Sequence, residues 1–525
     1  MTKGYLCLVL HAHLPFIRHP EFEDFLEEDW FYEAITETYI PLLLMMERLE
    51  KEGINFRLTM SITPPLAGML TDSLLQQRYS KYLSNLETLA EKETFRIKSK
   101  PQFGAALALY KERFSACRKI YARYGGNLLE GFKHFQDRGF LEIITCTGTH
   151  GFLPLMASRK NQRAQVRMAV SDYFMKFGKK PRGIWLAECG YTEGVDEILV
   201  ENGIRYFFTD THGILYGRPR PKYAVYAPVF CPSGVAVFAR DVESSMQVWS
   251  AEAGYPGDYR YREFYRDAGY DLPYDYIKPH LHRDGVRRNV GIKYYRITGR
   301  VPLDKKEPYD PGPASEAALT HAKHFIFCRE RQCEYLNSVL GREPVIVCPY
   351  DAELYGHWWW EGPEFLYFLF RELAGQDTVK PVTPSWYLKK FPQLQVLEPC
   401  PSTWGDKGFN EVWLNKTNDW VYRHLNYAGE KMAEMAEKFP DASGIKEMIL
   451  NQMARELMLA ESSDWAFIMT AGTTVPYAHK RTKTHLNNFL TLLKMLESDS
   501  VDGNFLKMCA ERNNIFPQMD YRIYR

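Results

Sequence analysis

The chain has 525 residues, of which 66 are basic and 65 acidic, so its net charge is +1. Because one hydrophobic core stops growing at about 250–300 residues, this length predicts one large domain with one or two smaller ones. The balanced charge argues against a nucleic-acid partner.

The ten cysteines are scattered, and no pair has metal-ligand spacing. Residues 1–10 lack a small-residue cleavage site, and the longest apolar runs are too short to span a membrane. We therefore predict a soluble, cytoplasmic protein with free thiols, no metal or other cofactor, and no membrane partner. The expected assembly is a monomer or a weak homo-oligomer.

The first third of the chain contains two predicted strands followed by a helical segment. Residues 5–10 form an apolar run that ends at His11-Ala12-His13, and residues 56–62 form a second run. From about 66 to 140 the pattern is helical and rich in charge, without strand signals. This segment is typical of a helical insertion or lid rather than of barrel repeats.

A unit of helix, glycine, short apolar strand and polar tip then occurs three times. Glycine after a helix, followed by β-branched or aromatic residues, is typical of αβ loops, and such alternation predicts a parallel sheet. The number of units and their polar tips favour a barrel over an open sheet. The predicted strands and tips are 141–145 with His150, 183–187 with Glu188, and 345–348 with Asp351.

The pattern changes after about residue 400. Residues 418–438, 446–463 and 479–498 have the apolar spacing of helices, without strand signals of comparable strength. We therefore expect a catalytic α/β domain over 1–400, with the insertion at about 66–140, and an all-helical C-terminal domain over 401–525.

Glu188 and Asp351 are the strongest candidates for chemistry. Each follows a short apolar strand, and α/β barrels place catalytic groups at strand ends. A buried glutamate after the residues Gly-Ile-Trp-Leu-Ala is disfavoured unless it is paired or functional. The alternatives are a helix cap or arginine partner for Glu188 and an N-cap for Asp351. The shared setting favours an acid/base or nucleophile/acid pair.

Histidines also lie at strand ends. His11 and His13 are two positions apart, so they share one face of the first strand, and His150 follows a later strand. They are candidates for metal ligands or for donors to sugar hydroxyls, and the alternative is a group of core-edge histidines.

Tryptophans cluster near the polar motifs. Trp358, Trp359 and Trp360 cannot all be buried on one face, and we expect at least one to line a cleft. Trp404 and Trp413 lie in a loop rich in Gly, Asn and Asp, where stacking against a flat ligand such as a sugar ring is the favoured function.

Five stretches together resemble glycoside hydrolase family 57. They are HAHLP (11–15), CTGTHG (146–151), IWLAECGY (184–191), CPYDAELYGHW (348–358) and the Trp-rich segment 404–420 with the helices that follow. The resemblance covers essentially the whole chain, in the family's order. The helical C-terminal region resembles the domain that accompanies the 1,4-α-glucan branching enzymes of that family.

The resemblance implies a distorted (β/α)7 barrel, a retaining mechanism and no metal. It implies that Glu188 is the nucleophile and Asp351 the general acid/base. Histidines 11, 13 and 150 would line the subsite for the attacked glucose. The remaining expected substrate contacts are His357, which the neighbourhood of Asp351 indicates, and Arg240, Gly257, Trp404, Trp413 and Asp464, which match glucan-contacting positions of these enzymes.

One departure from the family pattern keeps alternatives open. Branching enzymes of the family carry a long loop with a tyrosine between the nucleophile and the position of Arg240, and here that interval is short. The leading hypothesis is a 1,4-α-glucan branching enzyme acting on glycogen- or starch-type glucans. An α-amylase-like hydrolase and a 4-α-glucanotransferase use the same carboxylates. More remote are a metal-dependent deacetylase or mannosidase with His11 and His13 as ligands, and a non-catalytic glucan-binding protein.

Overall fold

A computed structural model describes residues 2–250, 253–498 and 500–525, and its centre is one nine-stranded sheet. The longest strand is buried along its whole length, as its almost continuous apolar sequence requires. The strands are β1 (Gly4–Ala12), β2 (Leu58–Ile62), β3 (Leu141–Cys146), β4 (Gly183–Trp185), β5 (Tyr206–Thr209), β6 (Val229–Phe230), β7 (Ala236–Ala239), β8 (Val345–Asp351) and β9 (Val379–Pro381).

The sheet curls into an incompletely closed barrel. Strands β8, β1, β2, β3, β4, β5 and β7 lie side by side in that order, and each runs parallel to its neighbour. The short β6 pairs antiparallel with β7, while β9 pairs with the beginning of β1. The backbone N–H of Asp241 donates to the carbonyl of Val347 at 2.9 Å and joins the two ends of the sheet. This arrangement confirms the predicted distorted barrel of seven strands.

Six helices surround the first two strands and precede β3. Their apolar residues recur every three or four positions, as at Leu75, Tyr79, Leu83 and Leu86, so that one face of each helix is buried. The expected helical segment at about 66–140 is confirmed. A π-helix (Ile35–Tyr39) joins the first two of these helices. The helices are α1 (Glu28–Ala34), α2 (Ile40–Lys51), α3 (Pro64–Leu70), α4 (Ser73–Arg96), α5 (Gly104–Arg123) and α6 (Leu128–Asp137).

The predicted helix–glycine–strand units are present. Gly139, Gly178 and Gly341 have φ of +77°, +70° and +66°, a left-handed conformation that side chains with a β-carbon disfavour. Strand β4 is shorter than expected, because the chain turns at Ala187. The helices of this region are α7 (Arg159–Phe177), α8 (Val195–Glu201), α9 (Thr211–Leu215), α10 (Val242–Trp249), α11 (Ala268–Asp271), α12 (Tyr274–Ile277), α13 (Pro311–Leu340), α14 (Gly362–Ala374) and α15 (Pro384–Lys390).

Five helices form the C-terminal region, namely α16 (Trp420–Lys438), α17 (Gly444–Ala460), α18 (Ser463–Ala471), α19 (Val475–Ser498) and α20 (Gly503–Arg512). The helix predicted at 446–463 is present as α17, which ends at Ala460, three residues earlier than predicted; α18 begins at Ser463. Buried residues of these helices, such as Leu457, belong to the same continuous core as Leu10 of β1. Among the described residues, no helix is long and apolar enough to cross a membrane.

Candidate active site

Glu188 lies at the carboxyl end of β4, in a turn with an unusual backbone conformation. Its φ is +60° and its ψ is 25°, and Cys189 also has a positive φ. This region is uncommon for residues with a β-carbon and occurs where surrounding structure enforces it. Here the backbone N–H of Trp404 donates to the Glu188 carbonyl at 3.0 Å. The turn therefore leaves the strand early and is held in place by the tryptophan loop.

Both oxygens of the Glu188 carboxylate accept a hydrogen bond. Trp404 Nε1 donates to Oε2 at 2.8 Å, and the Ser463 hydroxyl donates to Oε1 at 2.9 Å. Burial raises the pKa of Glu188 above its ordinary value, while the hydrogen bonds from Trp404 and Ser463 and the nearby His13 oppose that rise. The two donors therefore favour the ionised form of a carboxylate that is largely removed from solvent.

Asp351 ends β8 directly opposite His11 of β1 in the sheet register. No described residue donates a hydrogen bond to its carboxylate, in contrast to Glu188. Burial raises the pKa of Asp351 well above its usual range, and the negative charges of Glu353 and Glu188 raise it further. These effects favour the protonated form of Asp351, whereas the two donors at Glu188 favour the ionised form of that carboxylate.

Glu353 links the loop after β8 to two other elements. Its Oε1 accepts a hydrogen bond from the backbone N–H of His13 at 3.1 Å and from the hydroxyl of Tyr39, in the π-helix, at 2.5 Å. Burial raises the pKa of Glu353 to about 7, although these hydrogen bonds oppose the rise. Its negative charge is therefore only partly developed at neutral pH.

The three predicted histidines come together beside Glu188. The rings of His13 and His150 stack with centroids 3.7 Å apart, and His11 Nε2 lies 3.0 Å from His150 Nε2. Burial lowers the pKa of His11 and of His150 well below the ordinary value, so both are neutral. His150 has a φ of +60°, a second strained backbone position in the same site.

His13 forms an ion pair with Asp464. Its Nε2 lies 3.0 Å from the carboxylate oxygens of Asp464, which occupies the first turn of α18. Burial lowers the pKa of His13, but the charge of Asp464 outweighs it and the net pKa is raised. Burial raises the pKa of Asp464, but His13 outweighs it and lowers the value to about 2. A cationic imidazole and an aspartate anion therefore border the site.

Two groups here contain residue types that bind metal ions, His13 with His150 and Asp464, and His11 with Cys146 and His150. In the first group the two rings are nearly parallel, at 15°. Lone pairs of imidazole lie in the ring plane, so those of stacked rings run side by side instead of converging on one ion. In the second group the two Nε2 atoms face each other at hydrogen-bond distance. The geometry favours donors and acceptors for hydroxyl groups.

Arg240 and Trp404 occupy the rim. Arg240 follows β7, and its Nη2 donates to Asp210 Oδ2, beyond β5, at 2.6 Å. The ring of Trp404 packs edge-on against Trp185 at 4.9 Å and lies 6.4 Å from Trp249, which is 39% exposed. Trp404 thus combines a hydrogen bond to Glu188 with a place in an aromatic wall, and its contact with a sugar stays a prediction.

Trp413 does not form part of that wall. Its ring is 1% exposed and stacks on Phe152 with centroids 4.7 Å apart. The close approach depends on Gly405, because a β-carbon there would lie 2.7 Å from the Trp413 ring. The buried ring has no free face for a sugar, so the structure corrects the expected stacking function of Trp413. Trp413 supports the loop that carries Trp404.

Two further expected contacts lie outside the histidine cluster. His357 Nδ1 lies 2.8 Å from Glu37 Oε2 of the π-helix, in a separate polar network with Arg262. Gly257 ends a short surface turn (Tyr255–Gly257) and is exposed. Next to His357, Trp358 is 52% exposed, whereas the other two tryptophans of that run are buried, and a cleft-lining function for Trp358 stays a prediction.

Sequence patterns do not indicate Ser463 or Tyr39. Ser463 is 275 positions from the carboxylate that it contacts, and Tyr39 is 314 positions from Glu353. A signal for Ser463 was available in the polar Ser-Ser-Asp sequence, which interrupts two apolar helical stretches. Only the folded structure shows that this Ser-Ser-Asp segment lies next to the carboxyl ends of the strands.

The carboxyl ends of the parallel strands carry two carboxyl groups, with histidine and tryptophan side chains around them. This arrangement is typical of α/β-barrel proteins of the glycosidase type. Comparison with protein families makes the assignment specific. Residues 7–330 match the model of glycosyl hydrolase family 57, and residues 424–524 match the C-terminal model of 1,4-alpha-glucan branching enzymes. The chain belongs to glycosyl hydrolase family 57, and the resemblance read from its motifs is confirmed.

Similar proteins include both branching enzymes and an alpha-amylase. The 1,4-alpha-glucan branching enzyme TK1436 of Thermococcus kodakarensis is 34% identical over 98% of this chain and 77% of its own length. The crystal structure of the branching enzyme from Pyrococcus horikoshii superposes with a TM-score of 0.90 at 34% identity, covering 100% of this chain and 97% of that one. The crystal structure of the alpha-amylase AmyC from Thermotoga maritima superposes with a TM-score of 0.94 at 46% identity, covering 99% of both chains.

Proposed function

We propose that this protein is a retaining transglycosylase that acts on α-1,4-glucans and forms α-1,6 branches. The observation that carries the proposal is the contrast between its two carboxyl groups. Glu188 has a hydrogen-bond donor on each oxygen, whereas Asp351 is buried near two negative charges and has no such donor among the described residues. The family membership and the branching-enzyme relatives support the choice of substrate and reaction.

In the first step, the ionised Glu188 attacks the anomeric carbon of a glucosyl unit, and the bond to the leaving oxygen breaks. Asp351 gives its proton to that oxygen, which departs as the hydroxyl of the released chain. In the second step, Asp351 takes the proton of an acceptor 6-hydroxyl. The oxygen of that hydroxyl attacks the anomeric carbon and displaces Glu188. Two inversions at one carbon retain its configuration. A retaining pair is expected to have carboxyl groups roughly 5–5.5 Å apart.

The proposed subsite for the attacked glucose is lined by His11, His13, His150 and Asp464. Each ring nitrogen of the three histidines already has a partner in the protein, so a glucose hydroxyl would share or replace one of these hydrogen bonds. The Asp464 carboxylate has lone pairs left to accept from a hydroxyl. Arg240 and Trp404 would contact neighbouring units. We keep Gly257 and His357 as proposed contacts of a longer chain, beyond the histidine cluster.

The test is incubation with amylose, followed by a debranching enzyme and analysis of chain lengths. New chains released only after debranching are expected, because each transfer to a 6-hydroxyl creates one α-1,6 linkage. Amylose that yields no chains on debranching would overturn the branching function.

Replacement of the nucleophile tests the roles of the carboxylates. Glu188→Gln keeps the shape and the Trp404 contact but removes the attacking anion, so turnover should fall at least roughly 10³-fold. Glucan binding should persist. The matched control is Glu193→Gln, five positions later and exposed, which should retain full activity. Substantial turnover by Glu188→Gln would remove it from the mechanism.

A hydrolytic α-amylase is the second candidate, favoured by the 46% identity with AmyC and by the short interval before Arg240. That interval is occupied by α8, β5, α9, β6 and β7. Within it, Tyr216 is exposed and Tyr223 lies beside Arg342. Water would then intercept the intermediate. Measuring reducing ends together with α-1,6 linkages separates the two, because hydrolysis raises only the former. A 4-α-transferase would change chain lengths and raise neither.

We also propose the division into a barrel domain over 1–400, with its helical insertion at about 66–140, and a helical domain over 401–525. The match of residues 424–524 to a separate C-terminal model supports this boundary. The partner would be an α-glucan such as amylose, glycogen or starch. A monomer or weak oligomer and the absence of nucleic-acid or membrane partners remain predictions.

A further inference from the structure

A pocket of about 330 Å³ opens at the end of the barrel opposite the carboxylates. It is lined by β9, by the residues that precede β2 and by Trp386 of α15. Strand β9 pairs with Gly4–Leu6, at the beginning of β1, while the histidine cluster follows its end. From Leu6 to His11 the strand alone spans about 17 Å, so the pocket is separate from the active site.

Trp386 lines the pocket with a partly exposed side chain. Its exposed fraction is 42%, so a substantial part of the indole is accessible to a ligand. One side of the ring is fixed by Tyr5, with centroids 5.4 Å apart, and by Lys390, whose Nζ lies 5.3 Å from the ring. The exposed remainder borders the pocket. The indole is therefore a pre-positioned apolar platform.

The helix that carries Trp386 is firmly attached. The backbone N–H of Ser385 donates to Glu142 Oε2 of β3 at 3.2 Å, and Thr383 caps the helix through the N–H of Trp386. A platform on a fixed element loses little conformational entropy when a ligand binds, which favours recognition of a weakly polar surface.

The rim of the pocket carries polar groups that are available to a ligand. Asp377 and Lys380 are exposed, and neither forms a hydrogen bond through its side chain or an ion pair with another described residue. Asn55 is also exposed, and its amide NH₂ has no partner among the described residues. Its amide oxygen accepts from Arg57 Nη1, which also donates to the carbonyl of Phe56 at 2.7 Å. A carboxylate, an ammonium and an amide beside an aromatic ring suit a neutral ligand with many hydroxyl groups.

We propose that the Trp386 pocket is a second, non-catalytic binding site for an α-glucan chain. The choice of ligand rests on the proposed function. A polymer held at Trp386 remains near the catalytic end of the same molecule, so its effective concentration there is raised without any new contact to the carboxylates. Short oligosaccharides, which cannot extend around the barrel, gain nothing from this site.

Affinity electrophoresis in gels containing glycogen tests the proposal. Proteins carrying Glu188→Gln are used, so that the glucan is not altered during the run. Adding Trp386→Ala should weaken the retardation by about threefold to tenfold, the range expected for loss of one aromatic contact. The matched control is Phe95→Ala, which removes a 70% exposed ring from α4, outside the pocket, and should leave retardation unchanged.

A second variant guards against a folding defect. Asp377→Ala changes only an exposed side chain without a described partner and should also weaken retardation, while its melting temperature stays that of the parent. With Glu188 intact, Trp386→Ala should raise KM for long amylose and leave kcat and KM for maltoheptaose unchanged. Undiminished retardation of Trp386→Ala and Asp377→Ala would overturn the proposal. If the wild-type protein does not act on amylose at all, the proposed function itself fails, which is a different result.

Discussion

Ser463 connects two residues of the site with one hydroxyl group. It lies 2.7 Å from His150 Nδ1 and donates to Glu188 Oε1 at 2.9 Å, so the hydroxyl hydrogen points to the carboxylate and the imidazole Nδ1–H points to the hydroxyl. The arrangement fixes one tautomer of His150 and one rotamer of Glu188. We therefore expect Ser463 to be a positioning residue that acts through Glu188, the proposed nucleophile.

Ser463→Ala should lower kcat by about 10- to 100-fold, because a hydrogen bond to a charged group contributes roughly 1.5–3 kcal/mol. The bond lowers the pKa of Glu188, so without it the pKa rises, and the acid limb of kcat/KM should move to higher pH. Ser463→Thr keeps the hydroxyl and should restore both values toward wild type. A fall in kcat with an unmoved acid limb in Ser463→Ala would contradict this function.

Glu353 affects the other carboxyl group. Its negative charge raises the pKa of Asp351, which must be protonated for the first step, and its own pKa is about 7. Above neutral pH the charge is present and keeps Asp351 protonated. Glu353→Gln removes the charge, so the pKa of Asp351 falls. When the pH is raised, the variant should therefore lose activity at a lower pH than the wild-type protein does.

The expected result for Glu353→Gln is therefore an alkaline limb of the kcat profile displaced to lower pH, with the acid limb in place. The control is Glu361→Gln, another buried glutamate with a pKa of about 7, which contacts Tyr309 and Arg262 rather than the site. An alkaline limb that does not move in Glu353→Gln would show that Asp351 is tuned by burial alone.

At the scale of elements, sequence patterns predict the strands that are marked by a long apolar run or a preceding glycine. They do not predict strands that depend mainly on pairing with a segment distant in the sequence. Strands β1, β3 and β8 are long apolar runs, and a glycine in left-handed conformation precedes β3 and β8. Strand β7 was missed, although Gly234 and the run Val-Ala-Val-Phe-Ala at 235–239 were a usable signal. Its neighbour in the sheet, β5, fixes it as a strand through pairing that spans thirty positions, which periodicity does not reveal.

The break between α17 and α18 shows the same limit. Apolar spacing predicts a helix that continues to residue 463, whereas α17 ends at Ala460. In the structure, Glu461 accepts from the Gln165 side chain at 2.8 Å, and the next residues contact the strand ends. These distant contacts favour a turn where local propensity favours a helix. The carboxylates, the histidines and Trp404 could be predicted, whereas Ser463 and the burial of Trp413 depend on such contacts.

The loop of Trp404 provides a prediction for an element. Gly405→Ala would place a β-carbon 2.7 Å from the buried Trp413 ring, so the ring or the loop must move. The Trp404 bond to Glu188 should lengthen, with kcat reduced about tenfold and a lower melting temperature. Gly375→Ala at the end of α14, where a β-carbon meets only ordinary contacts at 3.5 Å, is the control. Unchanged kcat in Gly405→Ala would show that the loop has room to relax.

At the scale of the whole molecule, the C-terminal helices contribute side chains to the candidate active site. They provide Ser463 for Glu188 and Asp464 for His13, and their apolar residues continue the core of the barrel. A chain divided at residue 400 would therefore expose a large apolar face on each part and leave His13 without its counter-ion. Sequence similarity divides the molecule into two units, whereas its packing makes each part depend on the other.

A chain ending at residue 400 should accordingly have no measurable activity on amylose and should bind a hydrophobic dye, because its half of the shared core faces water. Co-expression with residues 401–525 as a separate polypeptide should restore activity, since the contacts between the parts are non-covalent. The Asp464→Asn form of the second polypeptide provides the control: the parts should still associate through the apolar core, but turnover should fall because His13 loses the charge that raises its pKa. Full activity of residues 1–400 alone would show instead that the barrel forms the site by itself and that Ser463 and Asp464 serve only to attach the helices.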